Sequence, residues 1–134
     1  MAGAAVCWKS RRQVTVAAST VEVEYMAIGD ATKEALWLRS LFFELNIQDL
    51  NYPTRILVDN EGSVSLAKNP LLSDCSKHID IQHHFIQEQV FSHEIYLSYC
   101  HTSDMVADIL TKALEWIKHY HFVYLLGLWG GPVD

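Results

Sequence analysis

Three carboxylates in this chain stand where acids do chemistry in α/β proteins. Asp59 closes a short apolar stretch, Arg55-Ile-Leu-Val-Asp59, that reads as a buried strand, and ligands of open α/β sheets gather at the carboxyl ends of strands. Glu24 falls in the first turn predicted for a long helix, and Asp108 in a short helix after the last strand. Hard divalent cations such as Mg²⁺ take carboxylate oxygens from several elements and leave positions open for a substrate phosphate. Two such ions would activate water and stabilise the leaving oxygen in phosphodiester cleavage. Spacing alone leaves plainer roles open. Glu24 could be a carboxylate favoured by the helix dipole, Asp59 a cap at a strand-to-helix turn, and Asp108 an ordinary exposed helix acid.

Seven histidines (His78, His83, His84, His93, His101, His119 and His121) form no HExxH pattern. Cys7, Cys75 and Cys100 stand at no zinc-ligand spacing. Most of the histidines are expected at the surface or as hydrogen-bonded packing residues. His101 differs, because it follows a strand and precedes Asp108 by seven positions; it could assist proton transfer or product release, with a loop histidine as the plainer reading. Lys9, Arg11, Arg12, Lys33, Lys77 and His78 are candidates for contacts to a phosphate backbone, although Lys-Ser-Arg-Arg suits a solvated turn equally well. Trp37, Phe42, Phe43 and Phe85 are expected in the core rather than as stacking platforms for bases.

A definite order of elements must position these side chains. Ala4 to Trp8 reads as a short strand running into a basic turn. Ser19 or Thr20 offers an N-cap for a long amphipathic helix ending near Asn46, with Met26, Ala27, Ala31, Ala35, Leu38, Leu41, Phe42 and Leu45 at three- and four-residue steps. The Asp59 strand follows Pro53. Asn60-Glu61-Gly62-Ser63 then caps a short helix to Lys68, stopped by Asn69-Pro70. A second helix of about four turns begins near Ile79 and ends near Ser92-His93, followed by a half-buried strand 94–100, a helix 105–111 that Asp104 can cap, and a last helix 116–126 ended by Gly127. Strands interleaved with helices indicate an α/β layer fold. The reading is one domain over 1–128 and a tail over 129–134.

Composition narrows the class. Half of the 134 residues are apolar and 19% are charged, a globular balance. The net charge of −6 disfavours a plain nucleic-acid binding module, which needs clustered positive charge. Three cysteines cannot all pair internally, no signal peptide is visible, and no apolar run reaches the ~18 residues of a membrane span. An intracellular protein, cytoplasmic or nuclear rather than secreted and free of the membrane, is the expectation.

Seven ordered blocks carry a resemblance. They are Ala-Val-Cys-Trp-Lys-Ser-Arg-Arg-Gln (5–13), Ser-Thr-Val-Glu-Val-Glu-Tyr-Met-Ala (19–27), Ala-Thr-Lys-Glu-Ala-Leu-Trp-Leu-Arg (31–39), Val-Asp-Asn (58–60), Ala-Lys-Asn-Pro (67–70), Lys-His-Ile-Asp-Ile (77–81) and Ala-Asp-Ile-Leu-Thr-Lys (107–112). Together they resemble the ribonuclease H domain of copia-type LTR retrotransposon Pol polyproteins, over about residues 4–128, and a plant source is implied. The resemblance implies hydrolysis of RNA in RNA–DNA hybrids during reverse transcription, beside the reverse transcriptase part of the same polyprotein, with two Mg²⁺ ions. Its acids fall on Glu24, Asp59 and Asp108, and its Lys-His-Ile-Asp block on Lys77 and His78, with a structural or hybrid-contacting role.

The same resemblance implies an incomplete ribonuclease H-like fold, a mixed sheet lacking its first two strands and flanked by helices. The family's first catalytic Asp lies on the opening strand, upstream of the Trp-Lys-Ser block, and nothing before Glu22 is acidic here. The expectation is weakened metal binding and little or no activity for these residues alone. The Asp59 strand would keep a neighbour on one side only, and its unpaired edge would favour self-association. The competing expectation is a non-catalytic fragment of a degenerate retroelement, acting through protein contacts.

Overall fold

The structure, a computed structural model, describes residues 3–10, 20–47, 51–68 and 77–128, with backbone alone for 20–22, 66 and 77–80. Arg11, Arg12, Ser19, Asn69-Pro70, Cys75 and the tail 129–134 lie outside the described residues, as do the side chains of Lys77 and His78. The elements are α1 (Thr20–Glu44), β1 (Thr54–Val58), α2 (Glu61–Lys68), α3 (Lys77–Phe91), β2 (Ile95–Tyr99), two short 3-10 helices (Thr102–Asp104 and Val106–Leu110) and α4 (Trp116–Leu125). No helix among the described residues is long and apolar enough to cross a membrane. The chain divides into two compact units, Val16–Thr102 and Met1–Thr15 with Ser103–Asp134.

In the unit Val16–Thr102, β1 and β2 pair in parallel, from Thr54 opposite Ile95 to Val58 opposite Tyr99. Parallel strands need a long crossover, and α2 and α3 provide it. Burial alternates with the pleat: Val58, Ile95 and Leu97 point inward, whereas Arg55, Leu57 and Tyr96 are exposed. The inward face joins Tyr25, Ile28, Val64, Ala67 and Ile86 from the three helices in one cluster. The expected α/β class is therefore present. The mixed sheet is, among the described residues, a parallel pair.

Helix α1 is where expected, but its buried stripe is not the one its apolar residues suggest. Ala27, Ala31 and Leu45 are exposed, while Tyr25, Ile28, Thr32 and Arg39 are buried. Polar groups can be buried when they are hydrogen-bonded, and these are. Thr32 Oγ1 donates to Ile28 O at 2.8 Å. Arg39, 6% exposed, donates from Nε to Glu94 Oε2 at 2.9 Å and from Nη1 to Tyr52 O at 2.7 Å and Thr54 Oγ1 at 3.2 Å. One guanidinium thus ties α1 to the starts of both strands. Trp37 and Phe43, expected in the core, are exposed; at ~100° per residue Trp37 lies well off the buried stripe.

Three helices end in the same way. The residue at C′ takes a left-handed backbone, with φ of 52° at Asn46, 59° at His93 and 67° at Gly127. Its N–H bonds the carbonyl three residues back (Phe43, Val90, Tyr124), and the next N–H reaches five back (Phe42, Gln89, Val123). This is the Schellman pattern. It turns α3 straight into β2, since Glu94 accepts the Thr54 N–H at 2.9 Å one residue before the ladder begins.

In the other unit two expectations fail. Residues 3–10 form no strand; Ala5 N–H donates to Leu126 O at 2.8 Å and Ser10 Oγ to Leu110 O at 3.1 Å. A short apolar run becomes a strand only with a partner for its backbone groups, and here those bonds go to a helix end and a turn. The helix expected at 105–111 is a 3-10 helix, because a five-residue segment is too short to nucleate an α-helix unaided. Asp104 does not cap it: Met105 holds that position without a side-chain bond, and Asp104 Oδ1 accepts from Ser103 Oγ at 3.0 Å.

Candidate functional site

Asp59 is the first residue after β1. Asn60 does the capping, its Oδ1 accepting the Ser63 N–H at 3.2 Å while its carbonyl accepts from Val64 at 3.3 Å. The plainer role open to Asp59 therefore belongs to its neighbour. Among the described residues the Asp59 carboxylate has no hydrogen bond or ion pair. Because the strands are parallel, the end of β2 emerges at the same edge. Val58 is opposite Tyr99, and Cys100 N–H donates to Val58 O at 2.8 Å. His101 follows directly and is exposed. A carboxylate and an imidazole thus share one sheet edge.

Glu24 is the fifth residue of α1 and half-buried. The residue after it, Tyr25, is 1% exposed and donates its hydroxyl to Ser63 O at 3.2 Å. That bond pins α1 to the first turn of α2, the turn that begins just past Asp59. Sequence reasoning missed this anchor, although Tyr25 lies inside the Glu-Tyr-Met-Ala block. It also missed His83, which is buried with its ring 5.4 Å from that of Tyr25. Among the described residues, His83 Nε2 and Ser63 Oγ have no hydrogen-bond partner.

Asp108 belongs to the other unit. Far from being an exposed acid, it is 7% exposed. Its two carboxylate oxygens receive the Lys112 ammonium at 2.8 and 2.9 Å. The backbone supports the pair: Asp108 O accepts N–H groups from Thr111 at 3.1 Å and Lys112 at 2.9 Å. The larger unit thus holds Glu24, Asp59 and His101, and the smaller one holds Asp108. Among the described residues, no three His, Cys, Asp or Glu side chains gather as a metal cage.

Of the proposed basic surface, Lys33 has its ammonium 5.9 Å from the centre of the Phe85 ring, a cation–π arrangement. Cys7 and Cys100 are free thiols. A feature that sequence reasoning missed is the outer face of α4. There Trp116, Ile117, Tyr120, His121 and Tyr124 line an open hollow of about 420 Å³; their spacing of three and four residues was the available signal.

Over 123 residues, 92% of its length, the chain is 36% identical to the retrovirus-related Pol polyproteins of transposons RE2 and RE1 from Arabidopsis thaliana. It is 34% identical over 112 residues, 84% of its length, to that of transposon TNT 1-94 from Nicotiana tabacum. The chain is a Pol polyprotein relative. The Pol similarity supports an origin in a retrotransposon polyprotein, and the three relatives are plant proteins. It spans 8% of the length of each Pol relative. No family model matches this Pol-like segment, and no solved structure matches it.

Proposed function

We propose that this chain is a ribonuclease H-like segment of a copia-type Pol polyprotein, whose ancestral activity is cleavage of RNA in RNA–DNA hybrids. Its partners in that reading are the hybrid and the reverse transcriptase part of the same polyprotein. The observation that carries the proposal is Asp59, a carboxylate at the end of a parallel strand whose capping duty Asn60 has taken over. Glu24, Asp59 and Asp108 are of the hard-oxygen type that Mg²⁺ takes, and Asp59 is engaged by no other group among the described residues; Asp108 is paired with the Lys112 ammonium, and no three such side chains gather as a cage among the described residues.

By the resemblance, Glu24, Asp59 and Asp108 are the acids that would hold the metal. When bound, two ions supply an activated water and stabilisation of the leaving oxygen. His101, at the Asp59 edge of the sheet, accepts or returns a proton or helps release the product. Residues 1–134 carry no acid before Glu22, and groups that act as a unit lose activity steeply when one is missing. These residues by themselves are therefore expected to be inactive or nearly so.

The test is Mg²⁺-dependent cleavage of a labelled RNA–DNA hybrid by residues 1–134, and by the same residues preceded by the corresponding upstream stretch of the RE2 polyprotein. The extended protein should cleave, and Asp59→Asn should slow it by about 10²-fold or more. Cleavage indifferent to both Asp59→Asn and Glu24→Gln would overturn the site assignment. Robust cleavage by residues 1–134 alone would overturn the expected inactivity. One observation favours a second reading, a non-catalytic segment acting through protein contacts: Asp108 is already neutralised by Lys112. That reading gains if the extended protein binds the hybrid without cutting it.

A further inference from the structure

We propose that the open face of α4 is a surface on which two copies of this chain pair. Helix α4, Trp116-Ile-Lys-His-Tyr-His-Phe-Val-Tyr-Leu125, has a single Lys, Arg, Asp or Glu in ten residues. A helix so apolar on all sides belongs in an interior, yet Phe122 is its one buried side chain. At ~100° per residue, Trp116, Ile117, Tyr120, His121 and Tyr124 fall on one side of the helix, opposite Phe122. They line the open hollow of about 420 Å³. The one charged residue, Lys118, lies on the other side, its ammonium 5.2 Å from the centre of the Phe122 ring.

Three properties of this face point to a second copy as its occupant. It carries no Asp, Glu, Lys or Arg, so two chains of net charge −6 meet there without opposing like charges. Interface cores are depleted of these residues and enriched in Trp and Tyr. The face also has what a two-fold contact needs, a surface that fits itself. The Trp116 and Tyr120 rings, with centroids 5.8 Å apart, stand beside a hollow that receives the same rings from the other copy. The area suffices as well. Trp116 is 74%, Ile117 76% and Tyr124 63% exposed, and an aromatic side chain has about 150–250 Å² to bury. Each copy therefore offers about 500 Å², and the pair about 1,000 Å², the size at which specific interfaces begin. An interface so small is weak, so pairing follows the protein concentration.

Sedimentation velocity of the full chain over a dilution series is the test. Single copies at about 1 µM should give way to dimers at about 100 µM, with nothing larger, because a two-fold contact closes on itself. Trp116→Ser and Ile117→Ser should each raise the dissociation constant about tenfold or more, whereas Leu57→Ser, on the outward face of β1, should leave it unchanged. In the dilute, single-copy range Trp116→Ser should not shift thermal unfolding. A chain that stays single up to about 1 mM, dimers indifferent to both α4 substitutions, or assembly that runs on past two copies overturns the proposal. So does a loss of stability in dilute Trp116→Ser, because the face is then covered within the chain. In the unaltered protein the Trp116 indole N–H resonance should move with the midpoint of dimer formation, which decides the matter even if a variant does not fold; a resonance that stays still refutes the assignment of the face.

Discussion

In the unit Val16–Thr102, eight buried side chains from a sheet and three helices form one cluster, whereas in the unit of Ser103–Asp134 with Met1–Thr15 the one buried apolar side chain among the described residues is Phe122. On α4 of that second unit, Trp116 and Ile117 are 74% and 76% exposed. Apolar area left in water contributes nothing to burial. The first unit is held mainly by its core, and the second by backbone bonds: Ala5 to Leu126, and Thr111 and Lys112 to Asp108. The comparison extends to the acids. Asp59 leaves a packed sheet with its carboxylate unengaged among the described residues, and Asp108 rests in a thin structure with its charge matched by Lys112.

The largest effect that tests this contrast is Ile86→Ala. Ile86 is 0% exposed at the centre of the cluster, and truncating such a side chain costs about 2–5 kcal/mol. A urea midpoint that barely moves would break the picture of a core-held unit. Next comes Gly127→Ala, which strikes the backbone-held unit. Its φ is +67°, and an added Cβ would meet Gly3 O and Ala4 Cα, backbone atoms that cannot swing aside. The left-handed backbone alone costs about 1–2 kcal/mol, and hydrogen exchange in α4 should quicken. Gly29→Ala is the control. Its Cβ would meet Gln82 Oε1, the end of a flexible side chain, so helix propensity, about 1 kcal/mol in favour of Ala, roughly offsets the crowding.

A smaller effect of opposite sign is expected at His93. This residue sits at C′ of α3 with φ of 59°, a conformation glycine adopts without penalty. His93→Gly should stabilise the larger unit by about 0.5–1 kcal/mol, read from thermal unfolding; a loss would mean that the imidazole does something beyond ending the helix. The smallest is Trp116→Ser, expected within about 0.5 kcal/mol. A marked loss of stability there would show that the α4 face is covered in solution.

Much of the framework was legible in the sequence. The apolar runs before Asp59 and Cys100 announced β1 and β2, and Asn46 and Gly127 marked helix ends through their tolerance of left-handed backbone. The phase of α1 was not legible. Its apolar residues point to one stripe, but the buried stripe includes Thr32 and Arg39, whose partners at Ile28, Tyr52, Thr54 and Glu94 belong largely to remote segments. The strand expected at 4–8 failed for a related reason, since propensity in a short segment says nothing about whether a partner edge is available. His83 was legible as a histidine but not as a buried one.

Local chemistry, which depends only on neighbours along the chain, was determined by the amino-acid order: most of the elements, several of their ends, and three acids in the blocks that carry the resemblance. What each acid is free to do was decided by tertiary structure. Asn60 and Asp59 are adjacent and equally able to cap α2, and only the folded turn shows that Asn60 accepts from Ser63 while Asp59 does not. Asp108 and Lys112 are four apart in any conformation, but the 3-10 turn brings the ammonium onto the buried carboxylate. Burial and charge pairing depend on everything that surrounds a group, and residue type and spacing carry only part of that.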